Sequence, residues 1–227
     1  MAKTVLVAGG SDGLGKLIAA QLKNNYRVVI LGRTQSKTRQ VAEELGVDYH
    51  TADVSDYKQV REAVRKIIEK HLTIEALINS AGIWAEGELD EHDPETLRRV
   101  VEVNTLGTIN LTKAVIPYMK HEKNGLIINI ISQAGLYAKA ERSVYNASKW
   151  ALTGFTRSLD PELAPYGISV SGVYPGKLST TLFAKRGVQK DLSDALEPEY
   201  VAQAIEFMLS MPRHVVFSEV GIKRLGN

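Results

Sequence analysis

The segment KTVLVAGGSDGLGKL, residues 3–17, decides the fold. An apolar, β-branched run ends in glycines spaced Gly-x-x-x-Gly-x-Gly (Gly9, Gly13 and Gly15), and residues of helical period follow at once. Strand, tight turn and helix in that order make the opening of a parallel crossover unit. Glycines in the turn let the backbone approach a phosphate closely, while the first turn of the helix offers N–H groups and partial positive charge to the anion. Such a turn alone also serves as plain punctuation, so the rest of the chain must supply the context.

Working outward, the same alternation recurs. KTVLVAG, YRVVILG, VDYHTAD, IEALINS, GLIINIIS, GISVSGVY and HVVFSEV are expected as strands, and the stretches 13–24, 35–45, 56–70, 94–120, 143–163 and 198–211 as helices. Asp93 before Pro94 is a cap-and-first-turn signal, and Gly125 closes the segment after Asn124. Alternating strands and helices imply parallel strands joined by right-handed crossovers. The expected fold is α/β: a Rossmann-type doubly wound sheet of seven mostly parallel strands with helices on both faces, in one domain over residues 1–227. No repeat or linker divides the chain. The stretch 176–198, rich in turn formers and charges, reads as a loop or lid over the substrate.

Composition narrows the classes. The 227 residues are 44% hydrophobic and 24% charged, as in a folded soluble protein, and the net charge of +2 comes from interleaved signs. That pattern leaves no electrostatic footprint for nucleic acid. The absence of cysteine removes disulfides, thiol nucleophiles and thiolate metal sites together and fits a reducing cytoplasm. The five histidines show no metal-ligand spacing, so no metal is expected. No apolar stretch suggests a signal peptide or a membrane span.

In an open parallel sheet, ligands bind beyond the carboxyl ends of the strands. After the second strand, Gly32 stands where an unphosphorylated dinucleotide would meet an acidic residue, and Arg33 follows, with Thr34 and Lys37 close by. An arginine can grip a 2′-phosphate bidentately, which favours NADP(H) over NAD(H). Asp53 and Val54 follow the third strand where an adenine could be contacted, and Asn79 follows the fourth, placed to tie loops together. Ser132 ends the fifth strand, and Tyr174-Pro175-Gly176 ends the sixth beside the expected nicotinamide. Tyr145 and Lys149, four apart in the helical segment SVYNASKWALTG, share a helix face and can enter one cleft. By itself that pair also fits an exposed amphipathic helix.

Taken together, from Lys3 to about Thr180, these residues resemble the short-chain dehydrogenases/reductases, in the branch with the Gly-x-x-x-Gly-x-Gly turn and a Tyr-x-x-x-Lys pair. The resemblance implies strand order 3-2-1-4-5-6-7 and NAD(P)-dependent interconversion of a carbonyl and an alcohol. It implies that Ser132, Tyr145, Lys149 and Asn104, the last in VNTLG, form the catalytic set. It adds cofactor contacts from Ser11, Asp12, Gly13, Leu14, Asp53, Asn79, Ala81, Gly82, Lys149, Pro175, Gly176, Leu178 and Thr180. A homodimer or homotetramer, formed through the helical segments 94–120 and 143–163, is likewise implied. The chain departs from the family in having Asn79-Ser80 for the common asparagine pair, Val170-Ser171-Gly172-Val173 before the Pro-Gly, and an ending, VGIKRLGN, without the usual glycines.

In this reading Tyr145 is the general acid in reduction and the general base in oxidation. Lowering a phenol pKa by about three units takes roughly 4 kcal/mol. One positive charge about 4 Å away at an effective dielectric of 20 supplies about that much, and Lys149 is expected to provide it. Ser132 would hold the substrate oxygen, Lys149 would also bind the nicotinamide ribose, and Asn104 would anchor a water leading to Lys149. Gln133, Leu136, Tyr137, Ile83, Trp84, Phe183 and the loop after Thr180 are expected to line a partly apolar substrate pocket. Two alternatives stand beside this reading: an NAD-dependent alcohol, sugar or hydroxy-acid dehydrogenase, which Arg33 opposes, and a dinucleotide sensor without chemistry, which the intact Tyr-Lys pair opposes.

Overall fold

A computed structural model describes residues 3–180, 182 and 191–225. Seven strands form one sheet: β1 (Thr4–Ala8), β2 (Arg27–Gly32), β3 (Asp48–Thr51), β4 (Ala76–Asn79), β5 (Gly125–Ile130), β6 (Ile168–Pro175) and β7 (Glu219–Ile222). Their order is 3-2-1-4-5-6-7, as expected. Every ladder is parallel, from Val5 beside Val28 to Val173 beside Val220.

Among the described residues seven α-helices cover the faces: α1 (Gly13–Leu22), α2 (Gln35–Leu45), α3 (Tyr57–His71), α4 (Pro94–Val101), α5 (Gly107–Glu122), α6 (Ser143–Leu163) and α7 (Pro198–Ser210). Strand residues alternate between two cores because successive side chains point to opposite faces. Leu6, Leu77 and Ile127 pack with Val64 of α3, Leu111 of α5 and Leu159 of α6. Val5, Ile78 and Ile128 pack with Ile18 of α1, Val41 of α2 and Ile205 of α7. Local chemistry sets the helix ends. Asp56 caps α3 by accepting from the Lys58 and Gln59 nitrogens, and Gly46, at φ 67°, ends α2 in the left-handed conformation that glycine adopts without strain.

Two sequence expectations need correction. The expected helix over 94–120 is interrupted by a π-helical turn, Glu102–Leu106, which widens the helix around Asn104. Nothing in the apolar period marks such an insertion, because the buried face continues across it. The last strand lies at Glu219–Ile222 rather than 214–220, since pairing with β6 begins only at Gly172 beside Glu219. Val215 and Val216, β-branched but without a strand to pair with, are left about 40% exposed.

Candidate active site

The residues that follow β1, β4 and β5 come together at one end of the sheet. There the glycine turn is shaped by contact. A Cβ on Gly9 would lie 2.8 Å from the Ala81 nitrogen, and one on Gly15 would lie 2.3 Å from the Gly9 oxygen. Asp12 begins α1 by accepting from the Gly13 nitrogen at 2.7 Å and forms an ion pair with Lys37. Gly32 is enclosed as well: a Cβ there would stand 2.3 Å from Thr38 Oγ1 and 2.7 Å from Ser11 Oγ. No side chain fits at that position without displacing both hydroxyls, which gives a physical reason for the missing acidic residue. Arg33, next in the chain, is exposed and has no hydrogen bond or ion pair among the described residues. Thr34 directs its carbonyl back into α2, accepting from Thr38 Oγ1 at 2.8 Å.

Several of the expected cofactor residues have protein partners. Asp53 accepts from Ser55 and forms an ion pair with Arg99 of α4. Burial pushes its carboxyl up, but the hydrogen bonds from Ser55 and Arg99 outweigh this and hold it below the ordinary carboxylate range. The Val54 carbonyl accepts from Asn110 at 3.1 Å. The Asn79 carboxamide points into the core, donating to Asn129 Oδ1 at 2.9 Å and Thr112 Oγ1 at 3.1 Å, while Asn129 donates to Thr156 Oγ1 at 2.9 Å. This buried network ties β4 and β5 to α5 and α6. Asn129, a polar residue inside the apolar run GLIINII, was its signal in the sequence. At the far wall, Gly176 donates to the Ile222 carbonyl at 2.8 Å, Pro175 closes β6, and Leu178 pairs with Leu196, so both ends of the 176–198 loop are fastened together. The Thr180 nitrogen donates to the Leu178 carbonyl at 2.9 Å.

Ser132, Tyr145, Lys149 and Asn104 meet at the centre of the cleft. The Ser132 hydroxyl stands close to the Tyr145 oxygen and favours its ionised form. Lys149 Nζ donates to the Ile130 carbonyl at 3.1 Å and lies 5.8 Å from the Tyr145 ring centre. Asn104, in the widened turn, clamps Ile83 from both sides: its Oδ1 accepts from the Ile83 nitrogen at 2.8 Å, and its Nδ2 donates to the Ile83 carbonyl at 3.0 Å. Gly82 lies between the two groups. A Cβ there would be 3.4 Å from Asn104 Oδ1 and 3.7 Å from Lys149 Nζ, so the small residue leaves that side of the lysine open.

The electrostatics differ from the sequence expectation. Burial pushes the Tyr145 phenol up to about 12, with the Ser132 hydrogen bond and the Arg142 guanidinium pulling the other way. Burial pushes Lys149 down to about 8. Removing water penalises the charged form of each group, and the cation felt by the phenol is Arg142, while the lysine ammonium is turned to a carbonyl.

Ser132 carries backbone strain. Its φ of 140° and ψ of 158° fall where residues other than glycine are rarely found, at a typical cost of 1–3 kcal/mol. The strained residue also starts a 3₁₀ turn, accepting from the Ala134 nitrogen at 3.1 Å. Ser132→Gly and Ser132→Ala both remove the hydroxyl, but only glycine relaxes at this φ. After allowance for glycine's greater chain entropy, Ser132→Gly is expected to be about 1 kcal/mol more stable than Ser132→Ala in urea denaturation. Equal stabilities, or a more stable alanine variant, would show that the position is unstrained.

Of the expected pocket wall, Trp84 is buried with its ring centre 4.3 Å from that of Tyr145, and Leu136 packs against Ile131, Leu152 and Tyr174. Ile83 is held by Asn104, Tyr137 is 67% exposed, and Phe183 lies outside the described residues. Spacing gives no signal for Arg142, whose guanidinium carbon lies 4.9 Å over the Trp84 ring, or for Arg99. Arg142 stands three residues before Tyr145 in the chain. No helix among the described residues is long and apolar enough to cross a membrane.

Comparison with known proteins agrees with this architecture. An uncharacterised oxidoreductase of Staphylococcus saprophyticus is 34% identical over 230 residues, covering 97% of each chain. Trans-4-hydroxycyclohexanecarboxylate dehydrogenase of Sinomonas cyclohexanicum is 33% identical, covering 92% of this chain and 86% of that protein. A variant of actinorhodin polyketide ketoreductase, solved with NADPH, superposes with a TM-score of 0.91 at 28% identity, covering 100% of this chain and 98% of the other. The family described as short chain dehydrogenase matches residues 3–191. The chain is thus an NAD(P)-dependent oxidoreductase that belongs to the short-chain dehydrogenase family.

Proposed function

We propose that the protein is an NADP(H)-preferring oxidoreductase that interconverts a carbonyl and a secondary alcohol, with Tyr145 as general acid and base. One observation carries the reading: α6 brings Lys149 Nζ to 5.8 Å from the Tyr145 ring centre, beside the Ser132 hydroxyl at the end of β5. The cradle of Gly9, Gly13 and Gly15, and the space beside Gly82, fit a dinucleotide. Ser11, Asp12, Leu14, Val54, Ala81, Pro175, Gly176, Leu178 and Thr180 would line its path, with Asn79 and Asp53 positioning the walls through the partners described above. Bound there, NADP(H) supplies or accepts the hydride.

The remaining chemistry belongs to the chain. Ser132 holds the substrate oxygen and stabilises charge developing on it. Tyr145 delivers a proton to that oxygen in reduction and removes it in oxidation. Lys149, directed at the end of β5, holds the ribose and, when protonated, tunes Tyr145 by placing positive charge 5.8 Å from its ring centre. Asn104 fixes Ile83 and keeps the approach beside Gly82 open, where a water can reach Lys149. The exposed Val101 at the end of α4, Leu106 within the π turn and Trp150 on α6 support the expected homo-oligomer.

The preference for NADP(H) rests on enclosed Gly32 and exposed Arg33. Lys37, expected to assist, is held by Asp12, which leaves the 2′-phosphate to Arg33. In calorimetric titrations Arg33→Ala is expected to weaken NADPH binding about tenfold and NADH binding much less, the loss of one charge-assisted bidentate contact. An unchanged affinity ratio would remove Arg33 from the argument. The activity is tested by NADPH oxidation against ketones, aldehydes, quinones and 3-oxoacyl thioesters. Tight NADPH binding with no turnover on any of these classes would favour the sensor.

A further inference from the structure

We infer that Arg142 binds a carboxylate on the substrate, so that the enzyme acts on oxo acids and the corresponding hydroxy acids. This deepens the carbonyl–alcohol reading and rests on it.

Arg142 immediately precedes α6, whose third residue is Tyr145. Its guanidinium carbon lies 4.9 Å over the Trp84 ring, and the Trp84 ring centre lies 4.3 Å from that of Tyr145. Trp84 therefore touches both groups, meeting the reactive phenol at a tilt of 56° and the cation over its ring. A guanidinium held against an indole keeps its N–H edges available for in-plane hydrogen bonds.

Glu86 fixes the rotation within that plane. Nε donates to Glu86 Oε1 at 3.0 Å, and Nη2 lies 3.0 Å from the same oxygen. Both contacts use the side edge of the fork. Nη1, on the outer edge, has no acceptor among the described residues, so an arginine already oriented by one carboxylate can still present Nη1 and Nη2 to a second.

A purely structural role explains less. Buried ion pairs are weak sources of stability, because desolvation offsets the attraction. The backbone already joins these segments, with the Gly87 nitrogen donating to the Glu141 carbonyl at 2.8 Å. The side chains of Arg142 and Glu86 are 20% and 12% exposed, so the pair is partly open to solvent yet poorly screened. Its charge reaches the reacting centre, since it is among the groups that favour the Tyr145 phenolate. Lys149, the other cation of the cleft, is occupied at the Ile130 carbonyl.

The reaction is balanced without any further reagent. An oxo acid, NADPH and a proton give the hydroxy acid and NADP⁺. Hydride adds to the carbonyl carbon, the Tyr145 proton goes to the carbonyl oxygen, and the carboxylate is unchanged while Arg142 holds it.

The test compares carbonyl compounds that differ only in the acid group: acetoacetate, 4-oxopentanoate and 3-oxocyclohexanecarboxylate, each against its methyl ester, with NADPH. The wild type is expected to favour the acids by at least tenfold in kcat/KM. Arg142→Gln is expected to lower that preference at least tenfold, chiefly through KM for the acids, and Arg142→Lys to restore part of it. Because glutamine leaves Glu86 without its arginine, the paired variant Glu86→Gln/Arg142→Gln is measured too and should show the same loss. Calorimetry of the acids with the enzyme–NADP⁺ complex repeats the comparison without turnover. If esters are reduced as well as acids, or the variants lower both alike, the carboxylate role is overturned and the reductase reading stands. If no carbonyl turns over, that reading fails. The calorimetry then decides for Arg142, since acids that bind the paired variant as well as the wild type would overturn its role.

Discussion

Tyr145→Phe is expected to lower turnover by about a thousandfold, within the range of a hundred to ten thousand typical of a lost general acid, while NADPH affinity stays within a few-fold. Only the hydroxyl is removed. The phenyl ring keeps its place against Trp84 at a centroid distance of 4.3 Å, and the side chain remains buried. Folding should change little, because the hydroxyl that is lost interacts chiefly with the neighbouring Ser132. Steady-state NADPH oxidation, together with cofactor titration of both proteins, separates chemistry from binding. A variant that keeps most of the wild-type turnover would show that the proton comes from elsewhere.

Lys149→Met is expected to act in opposite directions on activity and stability. In the fold the lysine pKa is about 8, against an ordinary 10.5. Between these values the unfolded chain holds a proton that the folded chain has released, so stability rises as pH increases from about 8 to about 10. Below pH 8 the buried charge imposes its full penalty, on the order of 3 kcal/mol for that shift. Methionine removes the penalty but leaves the Ile130 carbonyl without its donor, at a cost of about 1 kcal/mol. The net expectation at pH 7 is a variant more stable by about 2 kcal/mol, without the alkaline rise in stability. Above pH 10 the raised Tyr145 pKa acts the other way, because the unfolded phenol ionises first. Turnover should fall at least a hundredfold, as the group proposed to hold the ribose and tune Tyr145 is gone. Urea denaturation at pH 7, 8.5 and 9.5 checks the stability half. A wild-type stability that is flat or falling over this range would contradict the buried, proton-releasing lysine.

The two variants probe what the spacing Tyr-x-x-x-Lys can and cannot say. It places both side chains on one face of α6, and both reach the cleft. It cannot say how much water they keep. Both are 5% exposed, and that burial moves the pKa of each group towards its neutral form, against the simple pairing of opposite charges. The same limit applies at Asn79 and Asp53. Their positions at strand ends were legible, but Asn129, Thr112, Ser55 and Arg99 come to them from distant parts of the chain. The π turn at Asn104 and the strained φ of Ser132 left no trace in hydrophobic period, since both are backbone adjustments imposed by packing.

By itself the sequence determined the alternation of strand and helix, the strand-end positions of the glycine turn, Ser132 and Gly176, and the shared face of Tyr145 and Lys149. These follow from interactions between near neighbours: side-chain period, caps and the conformational freedom of glycine. Only the tertiary structure decided that two hydroxyls crowd Gly32, that Asn104 clamps Ile83, and that Glu86, Arg142 and Trp84 are gathered beside Tyr145. Each of those depends on residues far apart in the chain, or on separate elements, brought to one place by the sheet. Local pattern carries no record of such meetings.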